Sequence, residues 1–174
     1  MAIIRLIKKA QKGDDQAFLK LFQQYQEDIY RIAFTYVKNQ NDALDVVQET
    51  AYRSFKKIDT LKRPEYFKTW LIKIAINCAI EFVRKNKKVI LLKPEDEEFI
   101  GSVDEDVSLS ITLQELLDRL NEDEKGVVIL KFYQGYSFKE IADLLNIPLG
   151  TAKSVLYRAL QKLRKDFKET GICE

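Results

Sequence analysis

Apolar residues recur every three or four positions along most of the chain, a spacing that predicts helices almost throughout and gives strands little support. From Phe18, the positions Leu21, Phe22, Tyr25, Ile29, Ile32, Ala33 and Tyr36 share one face of a helix. After a break at Lys38 to Asn41, a second helix is expected from Asp42 to Ile58, with Leu44, Val47, Ala51, Phe55 and Ile58 along one side. A third, from Pro64 or Phe67 to Lys85, aligns Leu71, Ile74, Ala75, Cys78 and Phe82. With a short N-terminal helix these can close a bundle of about 85 residues, enough to fold alone on a modest core.

The pattern stops at residues 89–107. That stretch holds Glu95, Asp96, Glu97, Glu98, Asp104, Glu105 and Asp106 against a single base, Lys93, together with Pro94 and Gly101, and it reads as an extended linker. Helical spacing resumes from Ser108 through Leu109, Leu113, Leu116, Leu117 and Leu120, then Val127, Val128, Leu130 and Phe132. The expected fold is all-α, with two small helical domains over 1–88 and 108–174 joined by an acidic linker over 89–107.

Composition narrows the functional classes. Histidine is absent, which removes the commonest general base and metal ligand together. The two cysteines, Cys78 and Cys173, are far apart, and Cys78 lies in an apolar run that suits core packing better than chemistry. No segment is apolar enough to cross a bilayer. Met1 to Ala10 is basic and amphipathic but lacks an apolar h-region and a cleavage site, so neither a signal peptide nor membrane insertion is expected, and a reducing cytoplasm is the natural compartment. The 29 Lys and Arg nearly cancel the 27 Asp and Glu, for a net charge of +2, but the cancellation is not local.

The most specific local signal lies between Tyr136 and Leu163. Ser137 and Glu140 have the spacing of a capping box, followed by a short helix with Ile141, Ala142, Leu144 and Leu145 apolar. Asn146, Ile147 and Pro148 make a tight connection to a longer helix from about Leu149 to Lys165. Short helix, brief turn and longer helix is the layout that sets the second helix in a DNA major groove. At about 100° per residue, Ala152, Leu156, Ala159, Leu160 and Leu163 face one way, while Lys153, Ser154, Tyr157, Arg158, Gln161 and Arg164 face the other. A lone basic helix face is most often only solvated. Here a capped first helix and a turn precede it, and the pattern points to DNA binding.

A second basic surface lies at residues 62–88, where Lys62, Arg63, Lys68, Lys73, Arg84, Lys85, Lys87 and Lys88 face only Glu65 and Glu81, a local balance of +6. Trp70, Lys73, Asn77 and Arg84 fall within about 80° of one another around the helix. An aromatic, basic and amide face can stack on an unpaired base, neutralise phosphate and read a base edge. The plainer alternative is that Trp70 closes the core and the lysines keep the domain soluble. Upstream, Asp42, Asp45 and Glu49 share a helix with Val46 and Gln48. No further ligand group accompanies them, so no metal site is expected, and acids mixed with apolar groups suit docking onto a basic protein.

Taken together, Asp42-Ala-Leu-Asp-Val-Val-Gln-Glu-Thr50 with Phe55, Phe67-Lys-Thr-Trp-Leu-Ile-Lys-Ile-Ala-Ile-Asn77, Tyr136-Ser-Phe-Lys-Glu-Ile-Ala142 and Pro148-Leu-Gly-Thr-Ala-Lys-Ser154 with Tyr157-Arg158-Ala159 resemble a bacterial RNA polymerase sigma factor. The similarity is to the extracytoplasmic-function class of the sigma-70 family (group IV), the minimal form with regions two and four, and it spans nearly the whole chain. It implies that Asp42, Asp45, Val46, Gln48, Glu49 and Phe55 dock on the beta-prime clamp helices of core RNA polymerase. It implies that Lys62, Arg63, Phe67, Trp70, Lys73 and Asn77, with Arg84 on the same face, open the minus-ten element and capture a flipped base. Lys153, Ser154, Tyr157 and Arg158, with Gln161 beside them, would read the minus-35 element of promoter DNA.

The resemblance also implies a beta-flap contact, an acidic linker threading the polymerase channels and an anti-sigma factor, often membrane-bound, as regulator. No catalytic residue and no cofactor would be needed, so the protein would not itself be an enzyme. Relatives carry extra arginine in the recognition helix where this chain has Ala152 and Val155, so a promoter sequence does not carry over. Two other readings stay open from sequence. A stand-alone helix-turn-helix repressor or activator explains the C-terminal half but not the Trp70, Lys73 and Asn77 face, and a metal-dependent nuclease would need more ligands than Asp42, Asp45 and Glu49.

Overall fold

A computed structural model of the chain describes residues 2–90 and 115–169. All the regular elements among the described residues are helical, and the chain divides into two compact units, Met1–Val89 and Ile90–Glu174. Most of the expected acidic linker, and the expected apolar positions Leu109 and Leu113, lie outside the described residues.

The first unit contains α1 (Ala2–Ala10), α2 (Asp15–Gln23), α3 (Gln26–Val37), α4 (Gln40–Lys57) and α5 (Phe67–Ile90). The face expected to run unbroken from Phe18 to Tyr36 is divided between α2 and α3. Tyr25 departs from helical geometry at φ −117°, ψ 0°, although its ring still packs on the core. Side-chain caps start two of these helices: Asp14 accepts the amide of Ala17 before α2, and Asn39 that of Asp42 before α4. Helix α3 ends on Lys38 in the left-handed region, φ 66°, which turns the chain directly into the Asn39 cap. Between α4 and α5 the chain makes two short 3-10 turns, Ile58–Thr60 and Pro64–Tyr66, the second opened by a proline whose missing N–H costs nothing there.

The core of this unit gathers Ile7, Phe18, Leu21, Phe22, Ile29, Val47, Ile58, Leu61, Phe67, Leu71 and Ala75 from all five helices and the connecting turn. Cys78 is buried as a free thiol, as expected from its apolar run, and loss of solvation pushes its pKa up. Helix α5 runs to Ile90, past the expected end near Lys85 and beyond the start of the expected linker at 89.

In the second unit a helical turn at 115–118 precedes α6 (Glu122–Val128), a π-helical stretch Ile129–Tyr133, α7 (Phe138–Leu145) and α8 (Leu149–Glu169). Leu116, Leu120, Val127, Leu130, Ile141, Ala142, Leu144, Ala152, Val155, Leu156 and Ala159 form its buried interior. Phe132, expected on the apolar side, is exposed. The Ile129–Tyr133 stretch widens the turn so that Gln134 N–H donates to the Ile129 carbonyl, and the extra residue rotates Phe132 off the inward face.

Phe67 is only 1% exposed and begins the helix that closes the first core. Phe67→Ala should destabilise the first unit by about 3–5 kcal/mol, read in denaturant by the fluorescence of Trp70, the sole tryptophan. Phe132→Ala should leave the second unit within about 0.5 kcal/mol of the parent, read by circular dichroism.

Candidate nucleic-acid and protein interfaces

In the second unit the helix-turn-helix is built from local hydrogen bonds. Ser137 and Glu140 form a reciprocal capping box: the Ser137 hydroxyl accepts the Glu140 amide at 3.3 Å, and the Glu140 carboxylate accepts the Ser137 amide at 2.8 Å. Hydrogen bonds from Ser137 hold the Glu140 carboxyl below the usual carboxylate range. Helix α7 stops at Asn146 in the left-handed region, φ 54°, with the Ile147 amide donating back to the Ala142 carbonyl at 3.0 Å. Pro148 then accepts the Ala152 amide through its carbonyl and starts α8.

Helix α8 divides as its sequence predicts. Lys153, Ser154, Tyr157, Arg158, Gln161 and Arg164 are exposed, Tyr157 at 65%. Ala152, Leu156 and Ala159 are buried. Val155 joins them at 5% exposure, so positions 152 and 155 both belong to the buried side of the helix. Ser154 donates its hydroxyl proton to the Thr151 carbonyl, which leaves its oxygen lone pairs to face outward.

One ion pair fastens α8 to the rest of the unit. The Glu124 side chain is 4% exposed and meets the Lys162 ammonium at 2.8 Å, while its carboxylate also accepts the Asn121 amide in a second capping box. The Asn121-Glu122-Asp123-Glu124 spacing carries that box in the sequence as plainly as Ser137 and Glu140 carry theirs. Burial raises the Glu124 pKa, but the Lys162 and Asn121 hydrogen bonds and the Lys162 and Arg158 charges outweigh it and leave the carboxyl below its ordinary value. Arg119 adds a tie to Asp166 at 3.1 Å.

In the first unit, the basic face keeps Lys62, Arg63, Asn77 and Arg84 exposed and Lys73 half-buried. Trp70 is half-buried against the core, its ring centroid 5.8 Å from that of Phe67, so it both closes the core and keeps part of its surface exposed. Phe67 corrects the expectation of a DNA contact: fully buried, it seats the start of α5 and offers DNA no surface. Tyr66, half exposed between Arg63 and Lys68, is the aromatic that sequence reasoning passed over. Its signal was an aromatic next to the Pro64 turn, outside the 3.6-residue period of the α5 stripe.

On α4, Asp45, Gln48 and Glu49 are exposed and Asp42 is half-buried beside its Asn39 cap. Val46, expected at a protein contact, is 1% exposed and belongs to the core, because it sits one turn from buried Thr50 on the inward side. Phe55 is half-buried, edge-on to Phe18 at 5.1 Å. Leu44 reverses its expectation: placed with the core by spacing, it is 41% exposed beside Asp45 and Gln48. The exposed Tyr52, with Lys56 over its ring, extends the same outward side. Arg53 reaches Glu49 at 2.6 Å and Glu81 of α5 at 2.8 Å, which holds the Glu81 carboxyl below its usual range and links the acidic face to the basic helix.

The Sigma-70 region 2 family matches residues 21–89 and the Sigma-70, region 4 family matches residues 110–163. SigV, an RNA polymerase sigma factor of Bacillus subtilis, is 40% identical over 140 residues, covering 80% of this chain and 84% of its own. The ECF RNA polymerase sigma factor SigW of the same species is 32% identical across 97% of this chain and 98% of its own.

The chain belongs to the ECF RNA polymerase sigma factors.

Solved structures of similar fold include CnrH in complex with the cytosolic domain of CnrY, at a TM-score of 0.74 and 21% identity over 97% of this chain and 99% of that one. Another is the sigma factor RpoE of Bartonella quintana in complex with the anti-sigma factor NepR, at 0.71 and 22% over 87% and 96%. In this ECF sigma factor the helix-turn-helix falls within region 4, and the Asp45–Glu49 face and the basic face of α5 within region 2. No helix among the described residues is long and apolar enough to cross a membrane.

The folded Glu124 carboxyl titrates below its unfolded value, so its contribution to stability is complete above the ordinary glutamate range and is lost as the pH falls through the folded value. Lys162→Met should cost the second unit about 1–2 kcal/mol near neutral pH, the lower part of the range because Lys162 is half exposed. Unfolding of Glu124→Gln followed by circular dichroism should show a weaker loss of stability below pH 4.5 than the parent.

Proposed function

We propose that this sigma factor binds core RNA polymerase through α4, reads the minus-35 element with α8 and opens the minus-ten element with the α4–α5 connection and the basic face of α5. The observation that carries the reading is the separation of α8 into a buried face and an exposed one bearing Lys153, Tyr157, Arg158 and Gln161, presented by a doubly capped helix-turn-helix. Arg158 and Lys153 supply bidentate or single contacts to guanine edges and phosphates, and Tyr157 supplies apolar area against a thymine methyl.

The first unit supports the second half of the reading. Melting a promoter costs unstacking energy, and a surface that stacks on and neutralises an extruded strand offsets it. Lys62, Arg63, Lys73, Asn77 and Arg84 with the exposed part of Trp70 form such a surface, and Tyr66 extends it. The α4 face of Leu44, Asp45, Gln48, Glu49 and Tyr52 combines acid with exposed apolar side chains, the composition expected to dock on a basic groove of a large partner. Val46 and Phe67 support these surfaces from within. The polymerase would carry the chemistry, so this chain needs no catalytic group or cofactor of its own. It would work in the cytoplasm, restrained by an anti-sigma factor that competes for the same surfaces.

Run-off transcription with purified bacterial core polymerase and a promoter library tests the reading; no promoter-specific start and no core complex on gel filtration would sink it. Two exposed side chains separate the steps. Arg158→Ala should weaken binding to duplex minus-35 DNA by about ten-fold or more, while leaving opening of an already bound promoter near the parent rate. Asn77→Ala should do the reverse, slowing opening with little change in initial binding. Equal effects of both on the closed complex would refute the division of labour.

A further inference from the structure

Gln11, at the C-terminal end of α1, spends its side chain on a distant part of the chain. Its Nε2 amide donates to the Ile58 carbonyl at 3.1 Å and to the Leu61 carbonyl at 2.8 Å, residues 47 and 50 positions away. Both acceptors are carbonyls, so both amide protons are committed, and among neutral side chains only a carboxamide carries two donors on one nitrogen. The donor is itself held rigidly. Gln11 N–H closes the last turn of α1 on the Ile7 carbonyl, and the chain then reverses through Gly13 at φ 89°, a conformation that a side chain would strain.

The clamp lies immediately before the exposed residues of the connection. Ile58 and Leu61 are buried, and Lys62 and Arg63 follow at once, both exposed, Lys62 at a bend in the chain and Arg63 extended at φ −124°, ψ 105°. The Pro64–Tyr66 turn then presents Tyr66, 51% exposed, before buried Phe67 ends the connection. The segment Lys62 to Tyr66 is thus pinned by Gln11 on one side and by Phe67 on the other, with two cations and an aromatic ring outside.

We infer that Gln11 is a positioning residue for promoter opening, holding the Lys62–Tyr66 ledge in the form that receives the unpaired strand of the minus-ten element, with Tyr66 as a stacking platform. The inference rests on the promoter-opening reading above. Its physical content is preorganisation: a ledge already ordered loses less conformational freedom when a strand settles on it. Removing the clamp therefore weakens capture of single-stranded DNA selectively, while Asp45, Gln48 and Glu49 on α4, upstream of the clamped turn, continue to dock.

The test uses holoenzyme assembled from the full chain and core polymerase, with single-stranded oligonucleotides selected from a random pool by the wild-type holoenzyme. Gln11→Ala and the near-isosteric Gln11→Glu, which lacks the donors, should each lower affinity for the selected strand about five- to ten-fold, with core affinity unchanged. A double-mutant cycle of Gln11→Ala with Tyr66→Ala should be non-additive, because a ring on an unpinned ledge has little left to lose. Wild-type capture by both Gln11 variants, additive effects in the cycle, or an equal fold-loss in core affinity would each overturn the assignment. Failure of the wild-type chain to bind core at all is a different result, which removes the promoter reading and this inference with it.

Discussion

Every helix that carries function in this protein must also close a core, and that double duty governs the rest of the structure. Each unit is near the size at which a single apolar interior barely supports a fold. Helix α5 therefore cannot be a free-standing basic rod. It gives Phe67, Leu71, Ala75 and Cys78 to the interior and only the remaining arc to the surface. Helix α8 does the same with Ala152, Val155, Leu156 and Ala159. The small side chains at 152 and 159 let α8 approach its neighbours closely, which fixes the rotation of the helix and so determines which residues face outward.

Rotation alone does not set the distance a recognition helix stands from the rest of its unit. Polar ties do that here. The Glu124–Lys162 pair joins the start of α6 to the middle of α8, and the Arg119–Asp166 pair joins the turn before α6 to a later point on α8. A buried carboxylate is costly unless it is fully partnered, and Glu124 is partnered by Lys162 and by the Asn121 amide. Its position is then over-determined: any movement of α8 away from α6 strands a charge in a dry site. The first unit uses Arg53 in the same sense, bridging Glu49 on α4 and Glu81 on α5, so the face that would meet polymerase and the helix that would meet DNA move together.

Much of this was legible in the sequence because it is written in short range. Helical period, capping boxes, the Asn146-Ile147-Pro148 turn and the outward residues of α8 follow from local spacing, and family resemblance supplied the use proposed for them. What spacing alone misreads first is the width of a buried face. A face defined at 100° per residue cannot say how wide the buried arc is, and neighbours from other helices set that width. Leu44 fell outside the arc for that reason, while Val46 and Phe67, given outward roles by the family resemblance, lie inside it. Phe132 was lost to the π-helical stretch, which shifts phase by one residue without a glycine or proline to announce it. Tyr25 broke one expected helix into two for a similar reason, since its ring stays in the core while its backbone turns.

The depths of Phe67 and Trp70 bear on mechanism. A fully buried Phe67 and a half-buried Trp70 mean that the surface proposed to open the promoter would not be a loose cluster of rings waiting for a base. Their packing is what makes the surface stiff, and stiffness is what a strand-capturing site requires: binding energy spent on ordering a floppy ledge is unavailable for keeping bases unstacked. On the proposed function, the exposed cations and the Tyr66 ring would meet a strand at little entropic cost because Phe67 behind them is packed in the core and Gln11 is hydrogen-bonded to the turn before them. On this view the aromatic residues of the motif divide by depth, the inner ones supplying rigidity and the outer ones contact, and a substitution at either depth damages opening by a different route.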